Sequence, residues 1–324
     1  MRPDLEETVT AVLKEFNLSE DAIRTLSGRK VTWGETVFSV HTRSEQYVLK
    51  LARRPQTKPK RLWKWLFGSA RLKNEAEVYK ALQANLPSTF GYPKLIKTDN
   101  KNYILIQRVH TINKTRSLEE SPAYRQRAID ALLAFQTSNL ALRRKLFYLL
   151  HSPFWRFLLI TLRLAKSLSG IRLAARSLKV FLKCHAKQPR LEPPVILHND
   201  LGRGNILIDN EGRYFIIDFE DVIQESRWLF FDIVHMAWRE KNPLYFLDLD
   251  LLGLYWESLK RYPHLRRQVN MKAQIRVTLM IHGLLRYFNR PKRHAEFHRF
   301  FKSVLLIDDD FDAWYACVVE QLTS

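Results

Sequence analysis

Three polar side chains in the stretch VILHNDLGRGNILIDNEGRYFIIDFED, residues 195–221, have types and spacing that could do chemistry. They are Asp200, Asn205 five residues on, and Asp218 thirteen residues after that. Apolar strands seldom carry so many carboxylates unless the carboxylates act. Asp200 and Asn205 fall on a loop between Leu197 and the run ILI, and Asp218 ends the next run, YFIID. A hairpin around DNEG returns the chain, so the sequence predicts Asp218 beside Asn205. A carboxylate and an amide oxygen are hard donors suited to Mg2+, which keeps several of its waters. Asp200, one short loop away, is placed to accept a proton from a hydroxyl. Base, metal amide and metal carboxylate together form the layout of phosphoryl transfer.

These groups need elements to hold them. Residues 4–16 have helical spacing. The stretch RTLSGRKVTWGETVFSVHTRSEQYVLKLA, punctuated by Gly28, Gly34 and a polar turn at 43–45, predicts three antiparallel strands, the third being YVLKLA. A basic insertion, RRPQTKPKRLWKWLFGSARLK at 53–73, precedes a helix over NEAEVYKALQANL. Two further strands flank a turn at 99–101. From about residue 118 the pattern is helical up to the quoted stretch. Helices follow to the C-terminus, LFFDIVHMAW among them. The expected fold class is therefore α+β and bilobal. Residues 1–108 form a small antiparallel-sheet lobe with the insertion at 53–73. Residues 109–324 form a larger helical lobe, with a basic helical insertion at 139–190 and the catalytic and metal segment at 195–221.

Composition narrows the setting. The 324 residues hold two cysteines, Cys184 and Cys317, too few for a disulfide framework, which points to a reducing compartment. The start, MRPDLEETVTAVLKEF, is acidic and amphipathic, unlike a secretory signal. The most apolar stretch, LFYLLHSPFWRFLLITLRLAK, is broken by His151, Pro153 and Arg156, so no membrane span is expected. The net charge of +20 is concentrated: residues 51–74 hold eight Lys/Arg and residues 131–191 twelve, with no acid in either, and the rest balances. Such segregation points to an anionic partner.

HNDLGRGNIL and FIIDFED resemble the catalytic segment of the aminoglycoside phosphotransferase and choline kinase-like family, distant relatives of protein kinases. That resemblance implies a bilobal protein kinase-like fold, ATP as donor, Asp200 as base, and Mg2+ held by Asn205 and Asp218. Glu220 is expected near the metal. His198 would brace the loop, and Asp232 in LFFDIVH would be mainly structural. Lys50 in YVLKLA stands where the family has its phosphate-binding lysine, and Glu75 where its helix partner should be. Glu77 is two residues on and cannot share that helix face, so Glu75 is preferred. Gly28 and Gly34 are all that remains of a glycine-rich phosphate loop, which leaves Gly28 as a nucleotide contact. Gln107 in ILIQRV and the following Val109 would meet adenine at a hinge, mainly through the backbone. His110, His235 and His282 have no metal spacing and read as core or surface histidines. Only thirteen residues lie between Asp218 and Asp232, too few for a segment that docks a peptide acceptor.

The acceptor must then be recognised by the basic helical insertion between the hinge and His198. In GIRLAARSLKVFLK, Arg172, Arg176, Lys179 and Lys183 fall at i, i+4, i+7 and i+11, with Ile171, Ala174/Ala175, Leu178 and Phe181/Leu182 on the other face. With SPFWRFLLITLRLAK it forms a basic amphipathic pair suited to an anionic membrane surface. The competing reading is a core-packed helix with a solvated basic face. The 53–73 insertion is similar to that of bacterial lipopolysaccharide core kinases, in which a basic stretch and a Gly-Ser-Ala-Arg-like tetrad precede the helix. That likeness implies an acceptor sugar on a lipid carrier. No nucleic-acid-binding module is recognisable, and neither nucleic acid nor a protein partner is expected. The expectation is an ATP- and Mg2+-dependent kinase for a sugar hydroxyl on a membrane glycolipid such as lipopolysaccharide core, cytoplasmic and peripheral on the inner membrane face. The alternatives are a soluble sugar or aminoglycoside-type kinase and a non-catalytic scaffold.

Overall fold

The computed structural model describes residues 10–12, 14, 23–25, 35–41, 45–52, 59–85, 90–99, 102–111, 121–140, 142, 152–164, 168–238, 246–289 and 295–323. The expected helix at 4–16 falls largely outside these residues, and Gly28 and Gly34 wholly so. The chain forms two compact units: residues 1–112 with 139–142 and 207–222, and residues 113–138 with 143–206 and 223–324.

In the first unit, strands β1 (Ile23–Thr25), β2 (Glu35–His41), β3 (Gln46–Ala52), β4 (Leu95–Thr98) and β5 (Tyr103–Gln107) make an antiparallel sheet in the order β1-β2-β3-β5-β4. Phe38, Val40, Leu49, Leu51 and Leu105 pack into one cluster with Val12. Strand alternation sends Lys50 to the face opposite its neighbours Leu49 and Leu51.

Helix α1 (Pro59–Asn85) packs on β3 and is longer than expected. The sequence starts it at residue 74; in the structure it runs back to Pro59, through most of the basic insertion. The Gly-Ser-Ala-Arg tetrad at 68–71, expected before the helix, lies inside it. Proline is tolerated in a first helical turn, and an interior Gly68 costs only about 1 kcal/mol. The inner stripe is Arg71/Leu72, Asn74/Glu75, Val78/Tyr79 and Leu82, all buried and spaced by three or four residues.

Strands β7 (Ile206–Ile208) and β8 (Tyr214–Ile216) form the expected hairpin. Asp209 Oδ1 accepts the N–H groups of Glu211 and Arg213, both at 2.9 Å, and closes its turn. Gly91 fastens β8 by donating to Tyr214 O at 2.6 Å and accepting from Ile216 N at 3.0 Å. A Cβ at Gly91 would come within 2.8 Å of the Phe215 ring, so a larger residue would push the hairpin off.

The second unit contains α2 (Pro122–Gln136), α3 (Pro153–Leu164), α4 (Leu168–Lys187), β6 (Val195–Leu197), β9 (Ile223–Glu225), α5 (Phe231–Ala237), α6 (Leu249–Ser258), α7 (Pro263–Gln268), α8 (Met271–Asn289), α9 (Ala295–Phe300) and α10 (Asp308–Thr323). Strands β6 and β9 pair antiparallel, Leu197 opposite Ile223. The sequence reading has only helices after the hairpin; the three residues of β9 are too few to show an alternation. Helix α4 turns Ala174, Val180, Phe181 and Cys184 inward. The Phe157 and Phe181 rings stack at 4.3 Å, and Phe181 meets Trp228. Of the apolar face expected to meet a membrane, Ala174 and Phe181 are thus core. Ile171 and Leu182, assigned to that face, are instead 49% and 52% exposed. Lys183, assigned to the solvated basic face, pairs with Asp308 at 2.6 Å. Among the described residues no helix is long and apolar enough to cross a membrane.

Candidate active site

The first unit gathers one ammonium and two carboxylates. Lys50 Nζ lies 2.8 and 2.9 Å from the two oxygens of Glu75 and 2.5 Å from Asp218 Oδ1. Lys50 comes from β3 and Glu75 from the inner stripe of α1. Asp218 follows β8, where φ is 70°; Asp is among the residues that tolerate this left-handed backbone best. The next residue, Phe219, is buried with its ring edge-on to Tyr79 at 5.1 Å.

Glu75 is wholly buried, and burial raises its pKa from 4.5 to about 7 against the pull of Lys50. The folded protein therefore binds this proton more tightly than the unfolded chain does. Its stabilising contribution is complete below the unfolded value of 4.5 and is lost as pH rises through about 7. Glu75→Gln is expected to flatten this fall, which amounts to at most about 3 kcal/mol. Urea unfolding of both proteins across that window measures the difference, and parallel curves would exclude Glu75 as the source.

Helix α1 also grips the segment after Asp218. Arg71 Nη1 donates to Glu220 Oε1 at 3.0 Å and Nη2 to Asp221 Oδ2 at 2.9 Å. Asn74 Nδ2 donates to the carbonyls of Glu220 and Val222 at 2.9 and 3.0 Å. Glu220, expected near the metal, is therefore held by Arg71. Burial raises its pKa, the charge of Asp218 adds to the rise, and Arg71 opposes it. The sequence reading overlooked Arg71 and Asn74. The signal was available: they precede Glu75 by four and one positions, on one helical stripe.

The second unit builds the loop of Asp200. Beyond β6, the backbone N–H groups of His198 and Asn199 donate to Asp232 Oδ2 and Oδ1, each at 2.8 Å. Asp232 is wholly buried on the first turn of α5. Burial raises its pKa, and the neighbouring His198 and these two N–H groups oppose the rise. Gln136 is held by Tyr255 and donates to Leu229 O and Asp232. His198 is also wholly buried, its ring 6.0 Å from Phe135. Asp200, by contrast, has a half-exposed side chain. Asn205 Nδ2 donates to Asp200 O at 2.8 Å, which fixes the amide and directs its oxygen away from that bond. The Asp218 carboxylate and this amide oxygen are hard donors of the kind Mg2+ takes.

Two further groups border Asp200. Arg156 Nη1, from α3, donates to Asn199 O at 3.1 Å. His235 Nε2 is 4.0 Å from Asp200 Oδ1, and its ring meets His282 edge-on at 4.8 Å. His235 stands one helical turn after Asp232, a spacing that could have found it; nothing in the sequence links Arg156 to Asn199. Gln107 is exposed at the end of β5 and its N–H donates to Lys94 O, while Val109 is half-buried. Gly28 lies outside the described residues.

An antiparallel sheet with its helix in one unit and a helical second unit define a protein kinase-like α+β fold. The APH model, described as the phosphotransferase enzyme family, matches residues 26–248, and the chain belongs to that family. It is accordingly a kinase-type enzyme that phosphorylates hydroxyl groups. Its fold is similar to that of aminoglycoside phosphotransferase APH(4)-Ia (13% identity over 92% of this chain and 98% of that one, TM-score 0.58). It is also similar to APH(2")-IIa in complex with gentamicin (14% identity, 96% and 98%, TM-score 0.58). A third likeness is to choline kinase LicA from Streptococcus pneumoniae (14% identity, 98% and 98%, TM-score 0.56). No curated protein matches the chain.

Proposed function

We propose that the protein transfers the terminal phosphoryl group of ATP to a sugar hydroxyl carried on a membrane glycolipid, of the lipopolysaccharide core type. In the first unit, Lys50 orients donor phosphates and is itself oriented by Glu75, while Asp218 offers a carboxylate to Mg2+. In the second, Asp200 takes the proton of the acceptor hydroxyl as the hydroxyl oxygen attacks the terminal phosphorus and the bond to the departing ADP breaks, and Asn205 offers its amide oxygen to Mg2+. The metal, when bound, neutralises phosphate charge. His198 and Asp232 fix the path of the loop, and the backbone near Gln107 and Val109 receives the adenine. A structure of APH(4)-Ia with ADP and hygromycin B supports the donor class by fold analogy.

The observation that carries the choice of a membrane acceptor is where apolar side chains meet solvent. Six large ones are the most exposed among the described residues, and four of them, Leu159, Leu162, Ile171 and Leu182, belong to α3 and α4. On α4 the helical repeat sets Ile171 and Leu182 on one edge and the exposed Arg172, Arg176 and Lys179 on the adjoining one. An apolar edge beside a cationic edge matches an anionic interface. Each cation there contributes about 1 kcal/mol. Replacing all three by Gln should cut binding to anionic vesicles by roughly 100-fold at low salt, with raised salt reproducing the loss. Binding to neutral vesicles should hardly change. Wild-type protein that ignores anionic vesicles at low salt would end the membrane reading and leave a soluble sugar kinase.

A further inference from the structure

The four residues 218–221 carry three carboxylates, on Asp218, Glu220 and Asp221. Three such groups in one turn form a strong but indiscriminate attractor for a divalent cation. The chemistry proposed above needs the cation at Asp218, where Lys50 also reaches. The other two carboxylates are engaged from a different direction. Arg71 is buried, and its two terminal nitrogens each bind one of them, at 3.0 and 2.9 Å. A planar guanidinium can satisfy two carboxylates at once, which a lysine ammonium on the same stem does less well. The backbone is pinned as well, since Asn74 binds the carbonyls of Glu220 and Val222, and Phe219 is packed against Tyr79. Glu220 and Asp221 are thus turned toward α1.

We propose that Arg71 is a positioning residue that withholds Glu220 and Asp221 from the divalent cation and reserves the cation for Asp218, an inference that rests on the phosphotransferase reading above. Arg71 then sets where the metal binds as well as keeping the loop in place. Removing its charge frees negative charge beside Asp218, so a cation should bind more tightly but in the wrong place.

The test uses the full chain without nucleotide, with Mn2+ binding followed by its paramagnetic resonance signal and Mg-ATP turnover measured alongside. Arg71→Gln is expected to tighten Mn2+ binding roughly tenfold, the order expected for an uncompensated charge nearby. At the same time kcat should fall while the KM for acceptor stays put. Adding Glu220→Gln to that variant should bring the Mn2+ affinity back toward wild type. A residue that only braced the fold would show no such return, because a second lesion would add to the first. Arg71→Lys, which keeps the charge should the Gln variant not fold, should give a smaller shift of the same sign. Unchanged or weaker Mn2+ binding in the Arg71 variants, with wild-type turnover intact, overturns the proposal alone. A wild-type protein that neither binds Mn2+ nor turns over Mg-ATP takes down the underlying functional reading with it.

Discussion

Replacing Asp200 by Asn should lower kcat by roughly 10²–10⁴-fold, the range for loss of a general base, with little change in ATP affinity. The substitution conserves shape, so the loop should keep its path. That path is fixed by the backbone bonds from His198 and Asn199 to Asp232 and by Arg156 on Asn199 O, none of which uses the Asp200 side chain. The donor-side groups Lys50, Glu75 and Asp218 are held by one another and are untouched. Steady-state turnover on the acceptor, paired with equilibrium ATP binding, separates the two effects. A variant with normal kcat would remove Asp200 from the chemistry.

Lys50→Met should act on the other side of the reaction. It removes the positive charge offered to the phosphates, and loss of a group of this kind costs roughly 10²–10³-fold in rate. It also leaves Glu75 buried without the ammonium that both its oxygens contact. Glu75→Gln should mimic the loss more weakly, since it disorients the lysine without deleting it. Because the groups touch, the double variant should lose less than the product of the single losses, with a coupling of about 0.5–3 kcal/mol. Losses that multiply fully would show that Glu75 does not act through Lys50.

The strands and the hairpin were legible because each is bracketed by turn residues and has its own periodicity. Lys50 could be picked out from its apolar flanks, and Glu75 from helix geometry that separates it from Glu77. The start of α1 was not legible. A run of Lys, Arg and Trp with a glycine reads as a loop unless a stripe is traced backward from Glu75, and that stripe includes Arg71. Which apolar side chains of α4 the core covers was not legible for a related reason. An amphipathic pattern reports that one side is apolar without naming what covers it, and here Phe157 and Trp228, distant in sequence, meet Phe181. Contacts such as Arg156 with Asn199 depend on tertiary packing alone and leave no trace in spacing.

The continuity of α1 has a mechanical consequence. At 1.5 Å per residue its 27 residues make a rod about 40 Å long. Its first turns lie in the most basic part of the first unit, and its middle turns hold Arg71, Asn74 and Glu75. A helix is stiff along its axis, so a torque applied near Pro59 is delivered to those three side chains rather than absorbed by a loop. Swinging the rod by even a small angle would stretch hydrogen bonds of 2.8–3.0 Å at its middle. Whatever engages the cationic end thus has leverage over Lys50, and through it over Asp218.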